Sequence, residues 1–444
     1  MRLLLTQISL AAIVALTVIL SNTNLSAEAL LTDDINYTHS QPASSIKSYD
    51  QHRVIRIKIH NEDQLKTLTE NENPLHFDYF THHKNIGGHI DVRIAPENFK
   101  KFQDLKLDYE TLIENLQTVL DNERKENEEY QIKWEVTKRT KMFTTDQNEK
   151  HWFDGYHWYH EHKEWLEKQI QAYPAVASSF SVGKTHQGRE QAGIKIGFGA
   201  SNVVLLGLQH SREWISCAVV EYIIDQLLTG NDARLVGYLQ RYTFHIIPIA
   251  NPDGFVISQT TDRMHRKNAQ LKDGCIGTDT NRNWNFHWNE GGASTNPCAD
   301  DYMGPFAFSS PEARNIAEFL SALPNVVSFI DFHSYSQLWM TPYGYTGTPP
   351  DTYTDYLKPL ADGAVAALFE VNDVEFTAGD IYHVVYPASG SSVDYAMSVG
   401  VGAPFAVELR DTGVHGFSLP ENQIIPSGQE TWEALASILD NLRP

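Results

Sequence analysis

The sequence predicts an α/β fold: a mixed, mostly parallel twisted sheet flanked by helices and preceded by a small α+β unit. Three observations predict it. The chain has 444 residues, more than one hydrophobic core usually supports, so a main domain and a smaller unit are expected. From about residue 152 onward, short apolar runs alternate with longer helical patterns, the signature of a largely parallel sheet covered by helices. Residues 52 to 127 alternate in a compact pattern unlike that of the later chain. A content of 41% apolar and 20% charged residues, with 20 Tyr, 20 Phe and 9 Trp, is enough to pack both units.

In chain order, Met1 and Arg2 precede an apolar stretch from Leu3 to Leu20, and small residues continue through Ala27 and Ala29. This pattern reads as a cleaved secretory signal over 1–27; a retained membrane anchor is the rival reading, because the stretch approaches spanning length. The run Val54 to Ile59 and the run Ile90 to Ile94 alternate like strands, and amphipathic stretches lie near 61–70 and 109–124. A charged stretch, Asp121 to Tyr130, then leads to the basic cluster Lys138, Arg139 and Lys141. Such a segment is an exposed cleavage site or a solvated helix face.

Beyond residue 152 the apolar runs include Val203 to Leu208, Tyr222 to Leu228, Phe244 to Ile249, Val326 to Phe332 and Phe405 to Val407. Of the three cysteines, Cys275 and Cys298 lie in a loop-like, Asn- and Gly-rich region, and export would let them bridge. Cys217 falls in the helical-looking stretch Trp214 to Leu228 and reads as a small buried hydrophobe. A formal charge of −21 argues against nucleic-acid binding.

In open α/β sheets, ligands gather beyond the C-terminal ends of the strands. Three apolar runs end in chemistry-bearing residues: Gln209-His210-Ser211-Arg212-Glu213, His333-Ser334-Tyr335, and Glu408-Leu409-Arg410-Asp411. A catalytic zinc site uses three His or carboxylate ligands and leaves a fourth position for water. His210, Glu213 and His333 have the right chemistry for such a set, although His-x-x-Glu spacing alone is also common on solvated surfaces.

Read together, the local sequences are specific. Gly207 to Ile215 resembles the first metal motif of the A/B-type zinc metallocarboxypeptidases, and further matches occur in family order. They are Asn251 to Phe255, Arg263 to Lys267, Asn281 to Trp284, His333 to Gln337, Tyr386 to Gly390, and Glu408 to Gly413. Cys275 and Cys298 sit where the family has its bridge, and residues 52–124 look like its activation segment.

The resemblance implies one Zn2+ per catalytic domain, held by His210, Glu213 and His333, with Glu408 as general base and Arg266 stabilising the charged oxygen. It also implies that Arg282 grips the substrate's terminal carboxylate with help from Asn281 and Tyr386, and that Arg212 makes a further cationic contact. The family position that selects the released side chain is Val393 here, where basic-specific members carry aspartate, so an apolar or aromatic preference is implied. Ile381, Met340 and Ala388 would line the same pocket. Asp394, shared by both types, is no selector; Ala406 and Ser391 depart from the usual A-type residues.

The expected organisation is a signal over 1–27, an activation propeptide over 28–140 and a catalytic domain over 141–444. Expected partners are peptide and protein C-termini and an activating trypsin-like protease, with no nucleic acid and no membrane once the signal is gone. The protein is expected to be secreted and monomeric, and Asn36 stands in a glycosylation motif. Two other readings are a noncatalytic zinc-binding module on the same fold and an enzyme specific for basic residues.

Overall fold

Ile55 and Ile57 alternate with polar neighbours, and that alternation builds the first strand of the small unit. In the computed structural model of the chain, which describes residues 46–72, 74–81, 86–140 and 152–443, β1 (Arg53–Lys58) pairs antiparallel with β3 (His89–Ile94) and β4 (Tyr109–Ile113), and β2 (Asp78–Tyr79) with β3. Ile55 and Ile57 face a core shared with Ile90, Val92, Leu68 and Phe102. Val54 points the other way, into a cluster with Met264, Tyr335 and Phe417 of the later chain. One strand thus serves both the small unit's core and its seat on the main sheet. Ser48–Pro444 form one compact unit.

Two expectations are refined here. Residues 109–113 form strand β4 where the pattern suggested an amphipathic stretch, because pairing with β1 outweighs local preference. The charged stretch 121–130 is the middle of a long helix, Leu116–Thr140, so its charges line a largely solvated face. The signal, Asn36 and Lys141 lie outside the described residues.

The main sheet takes its strands in chain order as β5 (Ala177–Lys184), β6 (Glu190–Gly197), β7 (Ser201–Gly207), β8 (Tyr242–Ile247), then, past a short hairpin of β9 (Leu271–Lys272) and β10 (Cys275–Ile276), β11 (Val326–Ser334), β12 (Leu338–Thr341), β13 (Thr377–Asp380) and β14 (Ala403–Leu409). Their order in space is β13-β12-β14-β11-β7-β8-β6-β5. The expected mixed, mostly parallel sheet is present. β13 and β12, β14 and β11, β11 and β7, and β7 and β8 pair parallel, while β12 with β14, β6 with β8 and β5 with β6 pair antiparallel.

Helices cover both faces, which is why β7 reads as a continuous apolar run. Val203 and Leu205 enter one core with the helices Trp214–Thr229 and Ile424–Asn441. Val204 and Leu206 enter the other, with the helix Pro311–Ala322. Local signals set helix starts: Asn251 accepts from Gly254 N and Ser310 from Ala313 N, each just before a proline that opens the helix.

Cys275 and Cys298 are bonded, with Cα atoms 5.1 Å apart, and Cys217 is a buried free thiol. Closing a loop of this length contributes about 3 kcal/mol. Among the described residues no helix is long and apolar enough to cross a membrane.

The parallel neighbours β14, β11 and β7 end at one edge of the sheet. Just past β7, Leu208 takes a left-handed φ of 52°, a conformation that costs a non-glycine residue about 1–3 kcal/mol. Its N–H donates to Ser216 Oγ at 3.0 Å and its carbonyl accepts from Asn251 N at 3.1 Å, so the bend that presents His210 is braced on both sides.

Candidate metal centre and substrate cleft

His210 and Glu213 leave the end of β7 in one tight turn, and His333 stands near the end of β11. All three side chains are buried, and their ligand atoms lie within 4.8 Å of one another. His210 Nδ1 is 2.9 Å from Glu213 Oε1, His333 Nδ1 is 3.0 Å from Glu213 Oε2, and the two Nδ1 atoms are 3.1 Å apart. The outer nitrogens face carboxylates instead: His210 Nε2 lies 3.0 Å from Asp279 and His333 Nε2 2.9 Å from Asp331.

Hydrogen bonding to those carboxylates assigns the ring protons to Nε2 and leaves each Nδ1 lone pair directed at the other and at Glu213. Such a knot of lone pairs needs a cation at its centre, and two imidazoles with a carboxylate suit zinc. Burial works against ionising Glu213, yet the two histidines hold its carboxyl below the usual range. Burial likewise disfavours charge on His333, but Asp331 and Glu213 raise its proton affinity well above the ordinary value. In both cases the cluster is asking for positive charge.

Glu408 comes from β14, in register with His333 on β11. Its Oε2 is buried without a hydrogen-bond partner. Burial, and then the charge of Glu213, push its pKa up to about 8. A carboxyl with raised proton affinity beside the metal-ligating group is placed to hold a proton.

Arg266 donates from Nε and Nη2 to Asp279 Oδ2 at 3.1 and 3.0 Å, and its Nη1 lies 3.7 Å from Glu213. Asp279 therefore ties a guanidinium and an imidazole of the site together. Arg282 is buried, donates from Nη1 to Asn281 O at 2.7 Å and bonds Tyr386 Oη through Nη2, while its Nε has no partner. Asn281 Oδ1 accepts from Ser392 N at 2.8 Å, and its side chain lies beside the His333 ring. A buried guanidinium with an orphaned donor beside the metal group has the chemistry to receive a carboxylate.

A family model described as zinc carboxypeptidase matches residues 162–434, and one described as carboxypeptidase activation peptide matches residues 55–123. The chain belongs to the zinc carboxypeptidase family. Carboxypeptidase A1 of Mus musculus is 34% identical over 406 residues, covering 88% of this chain and 93% of that protein. A carboxypeptidase B of Astacus astacus is 41% identical over 289 residues, covering 63% of this chain and 95% of that protein. The crystal structure of carboxypeptidase A from Helicoverpa armigera superposes with a TM-score of 0.76 at 25% identity, covering 88% of this chain and 98% of that one. This zinc carboxypeptidase is thus a metallopeptidase whose cofactor is zinc, and its activation peptide makes it a zymogen.

In this zinc carboxypeptidase, Arg212 is engaged by the small unit. Its Nη1 donates to Asp78 at 3.0 Å and its Nη2 to Tyr79 O at 2.9 Å, with the Phe417 ring 4.2 Å away. Phe80 packs on Phe417 with centroids 4.8 Å apart, Tyr335 Oη donates to Asp91 at 3.0 Å, and Arg263 pairs with Glu123 at 2.6 Å. Burial works against ionising Asp78, but Arg212 and Arg93 outweigh it and hold its carboxyl well below the usual range. Asp78→Ala is expected to raise hydrolysis by the uncut chain at least about tenfold, since removing one partner of a buried pair costs several kcal/mol; assaying the uncut variant beside the wild type checks this.

Val393, Met340, Ile381 and Ala406 are buried in one apolar cluster, and Ala388 is buried as well. Asp394 turns away, accepting from Gly344 N at 3.0 Å and Tyr345 N at 3.1 Å, and burial pushes its pKa up to about 7. Sequence reasoning missed two carboxylates, Asp279 and Asp331. Asp279 stands two residues before Asn281, a usable signal; Asp331 sits inside an apolar strand, where a lone acid calls for an explanation. It lies in register with Ala406, its Oδ2 accepts from Ser392 Oγ at 2.5 Å and from Gln209, and its Oδ1 has no partner.

Proposed function

We propose that this chain is a secreted precursor whose catalytic domain releases single residues from the C-termini of peptides and proteins, favouring apolar or aromatic side chains. The observation that carries the reading is a buried metal-ligating group beside a buried guanidinium with an unpartnered donor. His210, Glu213 and His333 would hold the zinc, which when bound polarises the scissile carbonyl and makes its water acidic enough to deprotonate near neutrality. Glu408 takes the water's proton on its free Oε2 and delivers it to the leaving amine. Arg266, anchored by Asp279, faces the oxygen that gains charge. Arg282, Asn281 and Tyr386 hold the terminal carboxylate, which restricts cleavage to chain ends.

The domain bounds that fit are a signal over 1–27, a propeptide over 28–140 and a catalytic domain over 141–444, with an extracellular, monomeric product. Lys138 and Arg139 lie at the end of the long helix Leu116–Thr140, so trypsin-like cleavage there would separate the segment that occupies Arg212. Uncut protein is expected to hydrolyse peptides at least about 100-fold more slowly than trypsin-treated protein, as the loss of about 3 kcal/mol of blocking contacts implies.

Hydrolysis of a panel of peptides differing in their last residue, with and without chelator, tests the function. Release of Phe, Tyr, Leu or Met is expected to dominate, and Val393→Asp to lower it about 100-fold while raising Lys and Arg release. A second reading, basic preference, is favoured by the unpartnered Oδ1 of Asp331 near the pocket and by the carboxypeptidase B relative. Dominant Lys or Arg release by the wild type would establish it instead.

A further inference from the structure

A second set of metal-ligating side chains lies outside the cleft. His162, on the helix Tyr159–Ala172, faces Cys217 and Glu221, which stand four residues apart on one side of the helix Trp214–Thr229. All three are buried, and their ligand atoms also lie within 4.8 Å of one another. We propose that His162, Cys217 and Glu221 form a second zinc site that joins these two helices.

The donors are disposed much as in the first group. His162 Nε2 is 3.1 Å from the carbonyl of His157, which assigns the ring proton to Nε2 and turns the Nδ1 lone pair inward. That Nδ1 lies 2.8 Å from Glu221 Oε1 and 3.7 Å from Cys217 Sγ. The first group shows the same nitrogen-to-carboxylate spacing, 2.9 Å between His210 and Glu213. Trp152 Nε1 donates to the other oxygen of Glu221 at 2.8 Å and fixes the carboxylate, as a supporting hydrogen bond does around bound metals.

Charge balance is kept when a cation binds. A divalent ion bound by thiolate, carboxylate and neutral imidazole leaves the buried cluster neutral. Binding exchanges two protons, one from the Cys217 thiol and one from the His162–Glu221 pair, for one ion. Sulfur and nitrogen donors select zinc over calcium or magnesium. A cavity of about 10 Å3, lined by His157, His162, Glu221, Trp152 and Ala218, adjoins the group and has room for one water-sized fourth ligand.

The test is the metal content of the full chain after zinc loading and dialysis against a weak chelator, followed by cobalt substitution. Two zinc ions per chain are expected in the wild type and one in Cys217→Ala. The paired variant His210→Ala with His333→Ala is expected to keep one zinc, so failure of the catalytic assignment is seen separately. With cobalt, a thiolate-to-metal charge-transfer band is expected in the wild type and in that paired variant and absent in Cys217→Ala, because the first group contains no sulfur. Circular dichroism of each variant establishes that it is folded, and His162→Phe with Glu221→Val, which replaces the polar pair by apolar residues, serves as a second knockout. One zinc per chain in the wild type, or two without the thiolate band, would overturn the proposal and leave a protonated His162 paired with Glu221.

Discussion

Glu408→Gln is expected to lower kcat by about 10³-fold or more while KM and zinc content stay nearly unchanged, since a positioned general base contributes about 10²–10⁴-fold. Gln fills the same volume on β14, beside His333, but has no oxygen able to hold the water's proton. The Oε2 of Glu408 is buried and unpartnered, so the substitution breaks no hydrogen bond made by that atom. Stability should therefore change little. A variant with nearly wild-type kcat would remove Glu408 from the proton path, and a variant that lost its zinc would point to a metal-holding role instead. Trypsin-treated enzyme assayed at saturating peptide separates these outcomes.

Arg282→Ala should act on recognition of the chain end. Loss of a bidentate grip on a carboxylate, at a site whose buried donors are then left unfilled, is expected to reduce kcat/KM by about 10³-fold, or about 4 kcal/mol. The decisive readout is discrimination. Wild-type enzyme should cleave a peptide with a free terminal carboxylate far faster than its C-terminal amide, and in Arg282→Ala that ratio should collapse toward one. Equal loss on both substrates would mean that Arg282 serves only the fold through Asn281 and Tyr386.

Much of this architecture was legible in residue order. The apolar run Val203 to Leu208 announced a doubly covered strand, and β7 does send alternate side chains into two cores. His210, Glu213, His333 and Glu408 all stand at or just past the ends of such runs, so the rule that ligands gather beyond strand ends pointed at the edge where they meet. The likeness to a known family then supplied the roles assigned to them.

Less legible were partners chosen across space. The acid in Val326 to Phe332, Asp331, gave no hint that it would face His333 and the pocket wall at once. Residues 109–113 read only as part of an amphipathic stretch, because their strand identity depends on β1, more than fifty residues earlier. Arg212 reads as a substrate contact in sequence, yet in the zymogen Asp78, 134 residues away, holds it. His162, Cys217 and Glu221 carried no motif, since two helices had to pack before their donors converged.

The sequence by itself determined the periodicities, the strand-end placement of the metal-ligating residues and the local helix caps, because these depend on neighbours a few residues apart. Only the tertiary structure decided which carboxylates turn toward the histidines, which oxygens stay unpartnered and what occupies Arg212. Those outcomes come from burial: once water is excluded, each buried charge must find its counter-charge wherever the fold brings one within reach.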